Sequence, residues 1–366
     1  MSLRPWLGTL LLGLLLGCSP DTPIRIGFIG GLSDRASDVG EAGRNGMLLA
    51  VEQRNQAGGI HGRRIDTVVQ DDGQNPATAQ AAIQALVAAK VDAVVGPFTS
   101  AMAAVVVPVL DQARLITISP TVTSGDFVGL DDHFIRINRT ARDNAVDYAR
   151  LLHLRGQRRV AVAYDARNRS YSDSWRNEFR AAFTWLGGEL VAEVAFTSQA
   201  ETGFGDIVQT MLAAQPDGLL FIASAIDVGR LAQQAEKRVP RMPISASEWA
   251  ASETLLELGG HAVENLLIAQ TYNRDDSSAR YQRFHAAYLA RFARAPGFSS
   301  IAAYDATTVL LQALEQQQRG ETIKQAILQH GPYEGLQQSI QFDRFGDTAR
   351  KVYFTEVRNG RFVLLK

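Results

Sequence analysis

Short runs rich in apolar residues alternate along this chain with longer segments in which apolar residues return every three or four positions. Ile24 to Ile29, Ile65 to Gln70, Val91 to Val95 and Leu115 to Ser119 have the β-branched content of strands. Between them, Val39 to Gln56, Pro76 to Lys90 and a segment opening at Ser100 have helical spacing. Gly58-Gly59 and Asp71-Asp72-Gly73 punctuate the passages. A helix over Ala141 to Leu154 follows, and the rhythm restarts. Strands are expected at Val160 to Tyr164, Leu190 to Phe196, Gly218 to Ile222 and near Ile244. Helices are expected at Ser172 to Leu186, Phe204 to Ala214 and from Val228. Strands that are nearly all apolar, such as Val91 to Val95 with Asp92 its one polar residue, suit a sheet covered on both faces. The alternation predicts an α/β protein with mostly parallel, doubly wound sheets, and its two runs predict two lobes. No linker rich in Pro, Gly or Ser separates them.

The amino end has a different pattern. Arg4 precedes an apolar stretch from Leu7 to Leu16, which stops at Gly17-Cys18 and the polar Ser19-Pro20-Asp21. A spanning helix needs about 20 apolar residues, so this run is too short to cross a bilayer. It has the layout of a secretory signal, expected over residues 1–17. Ending in Leu-Leu-Gly-Cys, it resembles the bacterial lipobox. That resemblance implies cleavage before Cys18 and lipidation of the new first residue. The mature protein is therefore expected in the cell envelope, tethered to a bacterial membrane by lipid. One acyl chain binds a membrane only marginally, whereas several hold firmly.

Composition narrows the chemistry. The 366 residues are 46% hydrophobic with a formal net charge of −1, so no electrostatic footprint for nucleic acid is present. Cys18 is the single cysteine, which excludes an intrachain disulfide and leaves the fold to its core. The six histidines are scattered without metal-ligand spacing, so no metal site and no cofactor are expected. Neither a Gly-Lys-Ser/Thr phosphate loop nor a Gly-x-Ser-x-Gly nucleophile elbow occurs. Gly27, Gly30 and Gly31 close the first strand but lack the spacing of a dinucleotide fingerprint, and read as a tight turn. An enzyme is not expected. In doubly wound sheets a ligand binds outside the carboxyl ends of the strands.

Those ends carry a recognisable set of segments. Gly58-Gly59-Ile60 follows the first helix, and Asp71-Asp72 the second strand. Val91-Asp92-Ala93-Val94-Val95-Gly96-Pro97 leads into Phe98-Thr99-Ser100. Ile118-Ser119-Pro120 leads into Thr121-Val122-Thr123, and Phe134-Ile135-Arg136 into the second half. Ala302-Ala303-Tyr304-Asp305 and Phe342-Asp343-Arg344-Phe345-Gly346-Asp347 complete it. In this order and spacing, from about Ile24 to the carboxyl end, the chain resembles the leucine/isoleucine/valine-binding family of periplasmic solute receptors. The resemblance implies a type I periplasmic-binding fold, with two Rossmann-like lobes joined by three hinge crossovers. These would lie near Asn138, Ala269–Thr271 and Asp343. Lobe I would then comprise 24–138 plus 271–343, and lobe II 139–270 plus 344–366.

The resemblance also implies a ligand site. Ser100, opening the helix after the Val-x-Gly strand, would bind a ligand carboxylate with its hydroxyl and the free helix amides, as a helix amino end favours an anion. Thr121 would offer a backbone carbonyl to an ammonium, and Thr123 its backbone and hydroxyl. Tyr171 would pack over the ligand, and Glu248 would pair with the ammonium. Each also has an ordinary reading, as helix cap, loop residue, surface aromatic or dipole-stabilising charge. Two departures affect the side-chain pocket. About Val39 stands where leucine-type members have an aromatic, and Ser224-Ala225-Ile226 stands where they often have Gly-Gly-Tyr; Trp249 is a candidate to fill that space. The implied function is a lipid-anchored receptor that takes an amino acid, with apolar and branched-chain types foremost, to the permease and ATPase of an ABC importer. Two alternatives stay open: a sensing subunit for a membrane kinase or cyclase, and a receptor for an amide, a urea-like compound or an aromatic acid.

Overall fold

The computed structural model describes residues 22–33 and 38–365. The signal segment and Cys18 lie outside the described residues. In chain order the first half contains β1 (Ile24–Gly30), α1 (Asp38–Gln56), β2 (Ile65–Asp71), α2 (Pro76–Ala88), β3 (Ala93–Val95), α3 (Ser100–Gln112), β4 (Thr117–Ser119) and β5 (Phe134–Arg136). The second half begins with α4 (Ala141–Leu154), β6 (Arg159–Asp165), α5 (Arg169–Trp185), β7 (Glu189–Phe196), α6 (Phe204–Ala213) and β8 (Gly218–Ile222). It continues with α7 (Ala225–Arg238), β9 (Ile244–Ala246), α8 (Glu253–Gly259) and β10 (Leu267–Gln270). The last part holds α9 (Ala279–Phe292), α10 (Phe298–Gln316), α11 (Ile323–Gln329), the small hairpin β11 (Tyr333–Glu334) and β12 (Ser339–Ile340), then β13 (Tyr353–Arg358) and β14 (Arg361–Leu364).

Two large sheets organise these elements. One has the order β2-β1-β3-β4-β5 and is parallel throughout. The other has the order β14-β13-β10-β9-β8-β6-β7. It is parallel except at its far edge, where β13 runs antiparallel to β10 and β14 to β13. The apolar strands divide their side chains between two cores, because successive residues of a strand face opposite sides. Ala93 and Val95 of β3 join the core under α1 and α10, while Val94 joins the one under α2 and α3. Leu219 and Phe221 of β8 pack with α6 and α7, and Leu220 and Ile222 with α4 and α5. Covering helices on both faces explain why these runs carry no polar alternation.

The expected elements form, with shifts at their ends. Asn75 caps α2, accepting from the amides of Ala77 at 2.9 Å and Thr78 at 3.2 Å, with Pro76 at the first position. Helix α5 begins at Arg169 rather than Ser172, after a 3-10 turn over Ala166–Asn168. Helix α7 begins at Ala225 rather than Val228, because Ser224 caps it.

The chain passes between the sheets three times. The first passage lies between Arg136 of β5 and Ala141 of α4, and the second follows Gln270 of β10. The third lies later than Asp343. Phe342 still bridges to Thr348, and the Gly346 carbonyl accepts from the Arg136 amide at 3.0 Å, which holds 342–348 to the first sheet. Pairing with the second sheet starts only at Tyr353, so this passage occupies 349–352 and residues 344–348 stay with the first lobe.

Candidate functional site

All five residues proposed from the sequence line one cavity between the lobes. Ser100, Thr121 and Thr123 come from the first lobe, and Tyr171 and Glu248 from the second. The cavity holds about 630 Å³ of empty space, its open mouth included. Phe98, Trp249, Phe298 and Val352 supply much of its apolar wall. Polar groups come from Asn138, Asn144, Asn168 and Thr271, and from Arg139 and Arg350 near the passages between lobes.

Backbone geometry puts the first-lobe residues there. Gly96 ends β3 with φ of 120°, and a Cβ at that position would sit 2.1 Å from the Ile29 carbonyl oxygen. Only glycine makes this bend without strain, and the bend turns Pro97-Phe98-Thr99-Ser100 towards the second lobe. Gly43 of α1 serves the same segment, since a Cβ there would lie 2.0 Å from the Phe98 ring. Ser100 is the first helical residue of α3, not its cap. Thr99 holds the cap position, and its hydroxyl donates to Gln74 Oε1 at 2.8 Å. The Thr121 hydroxyl is engaged with the Phe98 carbonyl at 2.6 Å, which leaves the Thr121 backbone carbonyl for other use. Thr123 is buried, its carbonyl accepts from Ala141 N at 2.7 Å, and its Oγ1 has no hydrogen-bond partner. A buried hydroxyl without a partner is costly.

On the other side, Glu248 starts a 3-10 turn after β9 and is 6% exposed. The Tyr171 hydroxyl donates to its Oε1 and the Trp175 indole Nε1 to its Oε2, each at 3.1 Å. Both donors are neutral, and Glu248 makes no ion pair among the described residues. Burial, and next the Glu248 charge, push the Tyr171 and Tyr148 hydroxyls well above the ordinary phenol range. The tyrosines therefore stay protonated and remain donors. Tyr171 meets Trp249 edge to face at 5.7 Å.

Sequence reasoning missed two residues of consequence. Trp175 reads as core, spaced with Phe179 and Phe183 along α5, and nothing in that pattern signals its bond to Glu248. Asn168 precedes α5, and its Oδ1 accepts from Ala101 N of α3 at 2.9 Å, across the cleft. One of the helix amides expected to be free for an anion is thus taken by the protein itself. Val39 and Trp249 line the cavity and also a second chamber of about 540 Å³, its open mouth included. Beyond Phe98, Thr99 and Asn168 that chamber is faced by Gln74, Met102, Asp165 and Arg167. Among the described residues no cluster has the makings of a metal site.

The lobes also touch around the cavity. Ser124 Oγ donates to the Ser170 carbonyl at 2.7 Å, Gly125 N to Ser174 Oγ at 3.0 Å, and Ser252 Oγ to Asp38 Oδ2 at 3.3 Å. Two sheets, three passages and a mixed apolar and polar cavity between them define a two-lobed solute receptor. The chain belongs to the periplasmic binding protein family, whose model matches residues 23–361. It is 22% identical over 329 residues to the leucine-, isoleucine-, valine-, threonine- and alanine-binding protein of Pseudomonas aeruginosa, covering 88% of this chain and 87% of that one. An amino acid binding protein of the same organism is 26% identical over 269 residues, with 71% of each chain covered. The crystal structure of the branched-chain amino acid transporter substrate-binding protein of Streptococcus pneumoniae with isoleucine superposes with a TM-score of 0.85. It is 25% identical, over 93% of this chain and 97% of that one. A Rhodopseudomonas palustris solute-binding protein in complex with benzoate shares the fold, with a TM-score of 0.83 and 18% identity over 94% and 95% of the chains.

Proposed function

We propose that this protein is an extracytoplasmic receptor that encloses an α-amino acid between its lobes and presents it to an ABC importer. The observation that carries this reading is Glu248: a buried carboxylate steadied by two neutral donors and in no ion pair among the described residues. A buried charge needs a partner, and a ligand ammonium supplies one. Opposite it, Ser100 at the start of α3 and the orphaned Thr123 hydroxyl offer donors for a carboxylate. Relatives named for binding amino acids support an amino acid as the class of ligand. Phe98, Trp249 and Val352 favour an apolar side chain. A sensing role, with a membrane kinase or cyclase as partner, uses the same site. The benzoate complex of a structural neighbour keeps aromatic acids in the test, although a benzoate-like ligand leaves Glu248 without a counter-ion. We further assign Cys18 as the site of a lipid tether, on the apolar run that ends in Leu-Leu-Gly-Cys.

Calorimetry against a panel of free amino acids, with benzoate as the competing class, tests the ligand. Saturable binding of an amino acid and none of benzoate is expected. Small-angle scattering then tests closure. A ligand closes a hinge only through its preference for the closed state, and moving the balance from 1:99 to 99:1 takes about 5.5 kcal/mol. Compaction at saturation is expected, and an unchanged profile in a protein that binds would sink the trap.

Thr123→Val separates ligand chemistry from folding at one position. It keeps the shape of the side chain and removes a hydroxyl that has no partner among the described residues, so melting should be unchanged or slightly later. Amino acid affinity should fall about tenfold, the worth of a hydrogen bond to a charged group. Equal affinity in the two proteins would remove Thr123 from the site.

A further inference from the structure

The Asn168 side chain has a fixed orientation with one end unused. Ala101 N can only donate, so the atom facing it at 2.9 Å must be the Asn168 oxygen. That leaves the Nδ2 amino group on the other side of the carboxamide. Among the described residues it donates to nothing, although Asn168 is only 6% exposed and lines the cavity. The acceptor end sits at the second amide of α3, directly after Ser100. The positive end of a helix polarises a group bound to it, and a polarised amide is a stronger donor at its far side.

We propose that Asn168 is a ligand-binding and selectivity residue: it relays the amino end of α3 to the ligand by donating from Nδ2 to the ligand carboxylate. This rests on the amino acid reading given above and adds a residue to it. The consequence is a link between closure and recognition. Asn168 belongs to the second lobe and Ala101 to the first, so the donor is aimed correctly only when the lobes are together. A carboxylate bound there favours the closed state through a contact that the open state lacks. The same geometry selects for an ionised carboxylate over its amide, whose NH₂ would face the Asn168 amino group donor to donor.

The test uses the full chain, the tightest-binding free amino acid from the panel, and its α-carboxamide; for leucine the pair is L-leucine and L-leucinamide. Asn168→Asp keeps an acceptor for Ala101 N but replaces the donor with a negative oxygen. Binding of the free amino acid should weaken by about tenfold or more, the scale of a charge-assisted hydrogen bond lost. The carboxamide should weaken far less, because its NH₂ can donate to the new carboxylate, so the preference between the two ligands shrinks. Asn168→Ala loses the closing bond to Ala101 N for both ligands but the Nδ2 donor for the carboxylate alone, so it should weaken the free amino acid more than the carboxamide. If Asn168→Asp weakens both ligands equally, or neither, Asn168 is only a contact between lobes and the proposal is overturned. If the unaltered protein binds no amino acid at all, the proposed function falls first and this inference with it.

Discussion

Glu248→Gln is expected to weaken amino acid binding by about 2–5 kcal/mol, a loss of tens to thousands of fold in affinity. The cause is the ligand ammonium, which would be enclosed without an opposite charge. The surroundings of Glu248 make it hard to replace that charge from elsewhere. Its neighbours Tyr171 and Trp175 are neutral donors already turned towards it. Folding should change little, for a reason visible in the same two bonds. The indole Nε1 can only donate, so the new amide must turn its oxygen to Trp175 and its NH₂ to Tyr171. A phenol oxygen can accept that hydrogen. One bond is kept and one reverses, so the stability cost should stay near 1 kcal/mol or below. Calorimetry and thermal melting on the same preparations separate the two effects. Full affinity in the variant would make Glu248 a structural acceptor for Tyr171 and Trp175, and would remove the main support for an amino acid ligand.

The charge at Glu248 also shows how far residue pattern could lead. The fold was legible because its central strands are buried on both faces and so read as apolar runs. Ala93–Val95 and Gly218–Ile222 serve two cores each, which forbids polar alternation. The five candidate residues could be picked out only through resemblance, since a Ser, two Thr, a Tyr and a Glu have no shared spacing. Their convergence comes from strand ends far apart in the chain. What stayed hidden has physical reasons too. β13 and β14 are short antiparallel additions at one end of the second sheet, half-exposed, with Thr355 and Glu356 interrupting the first and only four residues in the second. Trp175 lies on the core face of its helix, where packing accounts for it without the bond it makes. Asn168 acts through a backbone amide in the other lobe, and no side-chain motif encodes such a partner. The third passage was placed near Asp343 by resemblance, and no residue pattern marks where the chain leaves the first lobe. In space, the Arg136 guanidinium and backbone amide hold the Asp343–Asp347 turn to the first sheet.

That attachment is where the largest loss of stability is expected. Arg136 ends β5, just before the first passage, and is 1% exposed. Its Nε donates to Asp347 Oδ1 at 2.9 Å, its Nη2 donates to the same oxygen, and its Nη1 donates to the Ser124 carbonyl at 2.8 Å. Asp347 in turn accepts from Gly129 N at 2.8 Å and donates its own amide to Asp343 Oδ1 at 3.0 Å. Two of the three passages between lobes are therefore fastened to one buried ion pair. Asp347→Ala leaves the guanidinium buried without its counter-ion. Breaking a buried pair from one side costs about 3–5 kcal/mol, and for a protein of this size that is a fall of about 4–7 °C in Tm. Removing both charges with apolar residues of similar volume should restore much of it, because a buried pair is worth far less than the penalty for halving it. Neither Arg136 nor Asp347 lines the ligand cavity, so affinity in the folded Asp347→Ala protein should move much less than its melting temperature. Melting of Asp347→Ala and of the double variant Arg136→Met/Asp347→Leu checks both parts. A loss below about 1 kcal/mol in Asp347→Ala, the range of an exposed pair, would mean that the passages are held by packing and backbone bonds instead.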